Sequence, residues 1–218
     1  MFNIDPIQLV SILLVLFISI TFHEFAHAWS ASELGDDTAR RMGRLTLNPI
    51  PHLDPVGTLM MIFTAISGWG IGWGKPVPVN PSNLRGDPRV SMGLTSAAGP
   101  FSNLILAALA AIPLRLGLTM PDLLMTFLLF MVFINVGLML FNLIPLPPLD
   151  GFSVVQGILA TFRTRWAYEW GNKLDRLAPY GPMLLMVLLA LGWFTFLDPL
   201  GWLMGGPARA ISSLLLGW

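Results

Sequence analysis

Two histidines and a glutamate stand close together near the end of the first apolar segment. They belong to the stretch His23-Glu24-Phe25-Ala26-His27, which matches the pattern H-E-x-x-H. On a helix, two histidines four residues apart project from one face, so both imidazoles can reach one metal ion. Glu24 directly follows His23, so its carboxylate can act on water at that ion without being a ligand. The pattern therefore indicates a zinc site for hydrolysis, with His23 and His27 as ligands and Glu24 as the base.

The composition is that of a membrane protein. Of the 218 residues, 55% are hydrophobic and 11% are charged, and the mean hydropathy is +0.71. We therefore expect a single membrane-embedded domain over residues 1–218, all-α and polytopic, with about four to six transmembrane helices and a small re-entrant or β segment near the site. The zero net charge gives no indication of nucleic acid, and the absence of cysteine excludes disulfides and thiolate ligands.

Four apolar segments are predicted to cross the membrane. Their approximate limits are residues 7–31, 91–114, 123–141 and 183–197. The first is expected to be a retained span, because no basic region precedes it and it carries the metal motif. Basic residues follow the first span and precede the second, so the positive-inside rule places these loops in the cytoplasm and the N-terminus outside. Whether the tail after Pro199 crosses the membrane is left open.

A shorter apolar segment, Val56–Ser67, is expected to enter the membrane and return. Its dozen residues make a marginal span, and it runs into the glycine-rich stretch Gly68–Gly74. Basic residues lie on both sides of this unit, which favours a re-entrant helix followed by an extended segment over a tilted full span.

A carboxylate is predicted at the depth of the two histidines. Residues 142–151 read N-L-I-P-L-P-P-L-D-G, and the three prolines end the preceding helix and impose an extended path. Counting spans and basic residues puts Asp150 on the cytoplasmic side, at the level of His23 and His27, where zinc lacks a third ligand. The remaining histidine, His52, is interpreted as a loop residue. Solvated boundary charges are expected at Asp5, Asp36, Asp37 and Asp54.

Three motifs taken together resemble the site-2 protease family of intramembrane metalloproteases. They are HEFAH at residues 23–27, AGPFSN at residues 98–103 and NLIPLPPLDG at residues 142–151, in the family's order. The resemblance implies zinc bound by His23, His27 and Asp150, with Glu24 as the general base. It also makes Asn142 a candidate for contact with substrate or the oxyanion and Asn103 a second, less defined one. The resemblance is to a minimal branch of the family without PDZ or CBS domains.

The function expected on these grounds is Zn²⁺-dependent cleavage of peptide bonds in or near transmembrane segments of membrane proteins. The expected location is a prokaryotic cell membrane, with the site toward the cytoplasm; the lipid bilayer and a transmembrane protein substrate are the partners, and the oligomeric state is left open. The alternatives are a membrane metal-ion transporter and an inactive zinc-binding scaffold. A single ionisable cluster argues against the transporter, and an intact Glu24 argues against the scaffold.

One stretch is expected to bind the unwound substrate as an added strand. A helix must unwind before its carbonyls can reach zinc, and its freed backbone groups then need new partners. In Lys75–Asn80 two prolines block one edge, so Val77 is expected to pair internally. In Gly68–Gly74 every N–H group is available. We therefore expect the substrate to pair along Trp69, Ile71 and Trp73.

Overall fold

The computed structural model describes residues 6–218, so the prediction for Asp5 lies outside the described part of the chain. The described residues form nine α-helices and no regular strand, which confirms the all-α prediction. The helices are α1 Pro6–Glu33, α2 Thr38–Arg41, α3 Pro55–Ser67, α4 Pro88–Arg115, α5 Asp122–Asn142, α6 Asp150–Thr161, α7 Arg165–Leu177, α8 Gly181–Phe194 and α9 Pro199–Leu216. Among the described residues, four stretches are long and apolar enough to cross a membrane, namely α1, α4, α5 and the run Arg165–Phe194. This run contains α7 and α8, and all of its charged residues lie in α7, so α8 is its apolar part.

The helices α1, α4 and α5 form the centre of the bundle. Val15 of α1 and Val132 of α5 are completely buried, and they share one apolar cluster with Ala110 and Ala111 of α4. Alanines on α4 let the neighbouring helices approach closely, which is how membrane helices gain van der Waals contact when lipid is as apolar as they are. This packing gives the metal motif at the end of α1 a rigid support.

Three helices begin at an Asp-Pro pair. The side chain of the aspartate accepts a hydrogen bond from a backbone N–H group in the first turn, 2.8 Å to Gly57 from Asp54 and 2.9 Å to Arg89 from Asp87. Asp198 caps α9 in the same way. Proline is favoured at the first helical position because it has no N–H group to leave unpaired. The prediction that Asp54 is merely a solvated charge is therefore wrong, because it caps α3.

The helix α3 and the segment after it form a loop that returns to its starting point. Gly68 ends α3 in the left-handed conformation, with φ of 75°, and the chain then runs back along the helix, where Gly72 lies against Met61. The two ends meet at an antiparallel bridge between Leu53 and Gly74. At 13 residues, α3 is about 20 Å long. A short helix whose chain returns to the same place has the geometry of a re-entrant element.

Asp36 is a buried anchor point, which corrects the expectation that it is solvated. Its side chain is fully shielded and accepts hydrogen bonds from Asn83 Nδ2 at 2.8 Å, from the Asn80 N–H at 2.6 Å and from Thr38. Burial alone would raise the pKa of Asp36, but hydrogen bonds from Asn83, Thr38 and Asn80 outweigh it and hold that pKa below its ordinary value. This carboxylate ties the loop after α1 to the segment before α4.

The C-terminal helices brace α4 and the end of α5. A β-carbon at Gly93 of α4 would lie 2.9 Å from the Cα of Gly157 of α6, so these helices touch through their backbones. The sequence left the path of the C-terminal tail open. In the structure α9 begins beside Ile144, where Leu200 packs, and ends near Arg115, whose Nη1 donates to the Leu214 carbonyl at 2.9 Å. The tail therefore follows the bundle from the α5–α6 connection to the far end of α4.

Candidate metal centre

The two histidines of the motif face each other one helical turn apart. Their Nε2 atoms are 3.0 Å apart, and the rings meet edge to face with centroids 4.6 Å apart. Two nitrogen ligands on a tetrahedral zinc ion are separated by roughly 3.3 Å, given zinc–nitrogen distances near 2.0–2.1 Å. His23 and His27 therefore already point their nitrogens at a common position.

Asp150, the first residue of α6, brings a carboxylate to the same position. Its Oδ2 lies 3.1 Å from Nε2 of His23, and its Oδ1 lies 3.4 Å from Nε2 of His27. Within residues 6–218, Oδ2 is shielded from solvent and accepts no hydrogen bond, an arrangement that is costly for a carboxylate oxygen unless a cation binds it. Among the described residues this is the one group of three His, Asp or Glu side chains whose ligand atoms lie within 4.8 Å of one another. The donor set fits a catalytic zinc ion, with three protein ligands and an open fourth position.

Helix α4 holds both imidazoles from behind. Nδ1 of His23 lies 2.7 Å from Oδ1 of Asn103, and Nδ1 of His27 lies 2.8 Å from the backbone oxygen of Thr95. Both partners are oxygen acceptors, so each Nδ1 carries the proton. The lone pair of each Nε2 is therefore left for a metal, the usual tautomer of a zinc-binding histidine.

The Asn103 side chain uses both its oxygen and its nitrogen in hydrogen bonds within the protein. It is completely buried, and its Nδ2 donates to Oδ1 of Asn135 at 2.8 Å and to the Ser19 carbonyl at 3.3 Å. Nδ2 of Asn135 in turn donates to the Met131 carbonyl. The geometry therefore favours a role in orienting His23 over the contact with substrate that the resemblance suggested. Sequence reasoning missed Asn135, although a lone asparagine within an apolar span was a usable signal.

Gly99 lies directly under the imidazoles of the two candidate ligands, His23 and His27. A β-carbon at this position would overlap Nε2 of His27 and come within 2.7 Å of Cε1 of His23. Gly151 allows a similar close approach beside Asp150, the third candidate ligand. A β-carbon at Gly151 would overlap the Leu143 carbonyl where α6 meets the end of α5. Both glycines allow backbone to approach where any side chain would displace a candidate ligand.

The candidate base, Glu24, has an unexpected partner. Its Oε2 accepts a hydrogen bond of 2.8 Å from the backbone N–H of Val77, 53 residues further along the chain. The prediction that Val77 pairs within the protein agrees with this contact, but the partner is the side chain of the candidate base and not a neighbouring strand. No feature of the sequence indicated that pairing.

The other candidate residues make their contacts with parts of the protein outside the metal centre. Nδ2 of Asn142 donates to the Leu138 carbonyl of its own helix at 3.0 Å. Trp69 packs edge-on against Phe63 and against Trp193 of α8. His52, predicted to be a loop residue, is fully buried in a short 3₁₀ turn and hydrogen-bonds through Nε2 to the Thr46 carbonyl. It makes no contact with the candidate ligands.

Comparisons with known proteins agree with this architecture. The model of peptidase family M50 matches residues 117–189. The candidate zinc metalloprotease YwhC of Bacillus subtilis (strain 168) is 38% identical over 205 residues, which cover 90% of this chain and 84% of that protein. The candidate zinc metalloprotease Rip2 of Mycolicibacterium smegmatis is 30% identical over 183 residues, or 78% of this chain and 68% of that protein. No solved structure matches the chain.

This chain is a polytopic α-helical protein in which two histidines and an aspartate converge beside a glutamate. That is the architecture of a membrane-embedded zinc enzyme. The chain belongs to peptidase family M50, the site-2 protease family. It is an integral membrane zinc metallopeptidase, and Zn²⁺ is its cofactor.

Proposed function

We propose that this protein hydrolyses peptide bonds in or near transmembrane segments of membrane proteins, with zinc held by His23, His27 and Asp150 and with Glu24 as the general base. The observation that carries the proposal is the convergence of these three ligands, within 4.8 Å of one another, at the end of a helix long enough to span a membrane. Membrane-depth carboxylates and imidazoles are costly, so such a cluster indicates function.

The residues of the centre divide the chemistry between them. Zinc, when bound, would supply a Lewis acid that polarises the scissile carbonyl and lowers the pKa of water toward 7. Glu24 accepts the proton from the attacking water and passes it to the amine nitrogen as the carbon–nitrogen bond breaks. Asn142 is the remaining candidate donor to the carbonyl oxygen, and its Nδ2 would have to leave the Leu138 carbonyl to serve there.

The distribution of basic residues supports a site that faces the cytoplasm. All of the twelve Lys and Arg residues except Arg115 and Arg209 lie in three segments, which are around α2, from the end of the α3 loop to the first turn of α4, and around α7. These segments meet at one end of the bundle, since the Arg85 N–H donates to the Leu34 carbonyl at 2.7 Å and Arg89 pairs with Asp175 at 2.7 Å. By the positive-inside rule this end is cytoplasmic. The single domain over residues 1–218 would then have its N-terminus outside.

The return of α3 offers a pairing edge for an unwound substrate. Residues 69–73 are not helical, bend at Gly70 with φ of 117°, and lead to Gly74, where a β-carbon would lie 3.9 Å from Oε1 of Glu24. Within residues 6–218, the backbone N–H groups of Ile71 and Trp73 make no hydrogen bond. They are separated by one residue, the spacing at which N–H groups of a β-strand point to the same side. The expectation that every N–H group of Gly68–Gly74 is available is wrong at two positions, because the Gly68 N–H donates to the Thr64 carbonyl at 2.9 Å and the Trp69 N–H donates to Oγ of Ser67 at 3.3 Å. The N–H groups of Ile71 and Trp73 support the addition of a substrate strand along Trp69, Ile71 and Trp73, with Ile71 and Trp73 as its donors.

A trapping experiment tests the proposed function. Wild-type protein and Glu24→Gln are reconstituted in liposomes with labelled transmembrane peptides, and zinc content is measured on the same samples. We expect equal zinc and a loss of cleavage of about 10²- to 10⁴-fold in Glu24→Gln, the usual range for a lost acid–base group. Full cleavage by Glu24→Gln would contradict the mechanism, and zinc flux without any cleavage by the wild type would support the transporter instead.

A further inference from the structure

The segment Gly74–Asn80, here termed the strap, crosses the end of α1 at the candidate base. It is anchored at both ends. At its start, Gly74 forms the bridge to Leu53, and the Lys75 N–H donates to the His52 carbonyl at 2.8 Å. At its end, the Asn80 N–H donates to Oδ2 of Asp36 at 2.6 Å. These contacts fix a short piece of extended chain without a sheet around it.

A buried arginine anchors the middle of the strap. Arg44 is 6% exposed, and its Nη2 donates to the carbonyl oxygens of Lys75 at 2.5 Å and of Pro76 at 3.4 Å. A buried guanidinium is costly unless its donors are used. Nη2 makes its hydrogen bonds to the strap, whereas Nε has no hydrogen-bond partner within residues 6–218. The position of the strap is therefore maintained by a charged group, which indicates that its placement matters.

At the centre of the strap stands one backbone donor between two residues that have none. Pro76 and Pro78 lack an N–H group, so Val77 supplies the single backbone donor of this triplet. That donor makes the 2.8 Å hydrogen bond to Oε2 of Glu24. A hydrogen bond to one carboxylate oxygen restricts the rotation of the group and leaves Oε1 as the oxygen that can take a proton.

We propose that the strap positions Glu24 through the backbone N–H of Val77, which makes Val77 a positioning residue for the reaction. The inference rests on the proposed role of Glu24 as the base. The backbone group and not the valine side chain carries the effect, so the strap orients the base without itself touching zinc. Misorienting a base affects the chemical step more than substrate binding.

An amide-to-ester exchange at Val77 tests this inference. The α-hydroxy acid analogue of valine, introduced at position 77 by nonsense suppression, removes the N–H and keeps the side chain. The matched control is the same exchange at Val79, whose N–H makes no hydrogen bond in residues 6–218. We expect kcat to fall about 10- to 100-fold at position 77, the effect of one lost hydrogen bond to a charged group, with KM and zinc content unchanged. The genetic counterparts are Val77→Pro and Val79→Pro.

The outcomes are distinct. A raised KM with unchanged kcat at position 77, or equal losses at positions 77 and 79, would overturn the inference and indicate that the strap contacts substrate. Unchanged kinetics at position 77 would overturn it as well. The ester variant decides the case if Val77→Pro fails to fold. Failure of the proposed function is seen separately, as absence of cleavage by the wild type or as full activity of Glu24→Gln.

Discussion

Oδ1 of Asn103 on α4 lies 2.7 Å from Nδ1 of His23 on α1, and this contact joins the candidate metal centre to a buried amide chain. The chain continues through Nδ2 of Asn103 to Asn135 on α5. Residues of three helices therefore set the orientation of the His23 imidazole, a candidate zinc ligand.

Asn103→Ala is expected to lower zinc affinity by about 10- to 100-fold, because partners that orient a metal-binding histidine commonly contribute that much. Zinc release in a competition titration with a chelator measures it. Asn142→Ala is the matched control, since within residues 6–218 the Asn142 amide bonds only to the Leu138 carbonyl of its own helix. Its loss should leave zinc affinity unchanged. Equal zinc affinity in wild type and Asn103→Ala would contradict the positioning role.

Gly99→Ala should abolish zinc binding and cleavage together. The added methyl group would overlap Nε2 of His27, and neither the helix backbone nor a metal ligand can move aside cheaply. Gly137→Ala on α5 is the control, because a β-carbon there meets nothing within 4 Å. Zinc content and thermal unfolding of the two purified variants would be compared; a Gly99→Ala protein with full zinc would show that α4 stands further from the histidines.

Asp150→Ala should lose zinc and cleavage, in contrast to Glu24→Gln, which should lose cleavage alone. The reason is that Asp150 contributes a ligand atom to the cluster while Glu24 does not. Asp122→Ala, at the far end of α5, should change neither. Metal analysis of the three proteins separates a ligand from a base. Wild-type zinc content in Asp150→Ala would mean that another carboxylate is the third ligand.

Asp36 should stabilise the fold in a pH-dependent way. Its pKa is lowered in the folded state, so its contribution is complete above the unfolded pKa of about 4 and is lost as pH falls through the folded value. Asp36→Asn should therefore cost about 1–3 kcal/mol at pH 7, and the difference from wild type should shrink below about pH 4. Unfolding midpoints across pH measure it. Asp122→Asn is the control, since the Asp122 side chain is exposed and makes no hydrogen bond or ion pair within residues 6–218; a difference that stays constant across pH would refute the assignment.

Ile71→Pro should raise KM for transmembrane substrates and leave zinc bound, because it removes one N–H donor from the proposed pairing edge. Pro78→Ala adds an N–H donor to the strap without disturbing Val77, so it should have little effect on cleavage. Cleavage kinetics with a single labelled transmembrane peptide compare the two. If Ile71→Pro cleaves normally and Pro78→Ala is impaired, the substrate strand lies along residues 77–79.

Patterns local to the chain were the predictable part. The spacing of His23 and His27 on one helix face follows from helical periodicity, and the level of Asp150 follows from counting spans. The structure does bring these three side chains together. The Glu24–Val77 contact could not be predicted, because it joins residues 53 positions apart through a strap without periodicity. The burial of Asp36 was missed for the same reason, since its partners Asn80 and Asn83 lie beyond α3.

Three contacts to the histidines come from a single face of α4, at Thr95, Gly99 and Asn103. These contacts recur every four residues, as the histidines themselves do, so α1 and α4 contact each other with the same residue spacing where they cross. An insertion or deletion of one residue inside this stretch would rotate the residues after it by about 100° relative to those before it, so the three contacts could no longer form together. Length changes should therefore be tolerated in the turn between α4 and α5, around Gly117, and be lethal to activity between positions 95 and 103. In this part of the molecule, the number of residues is under as strong a constraint as their identity.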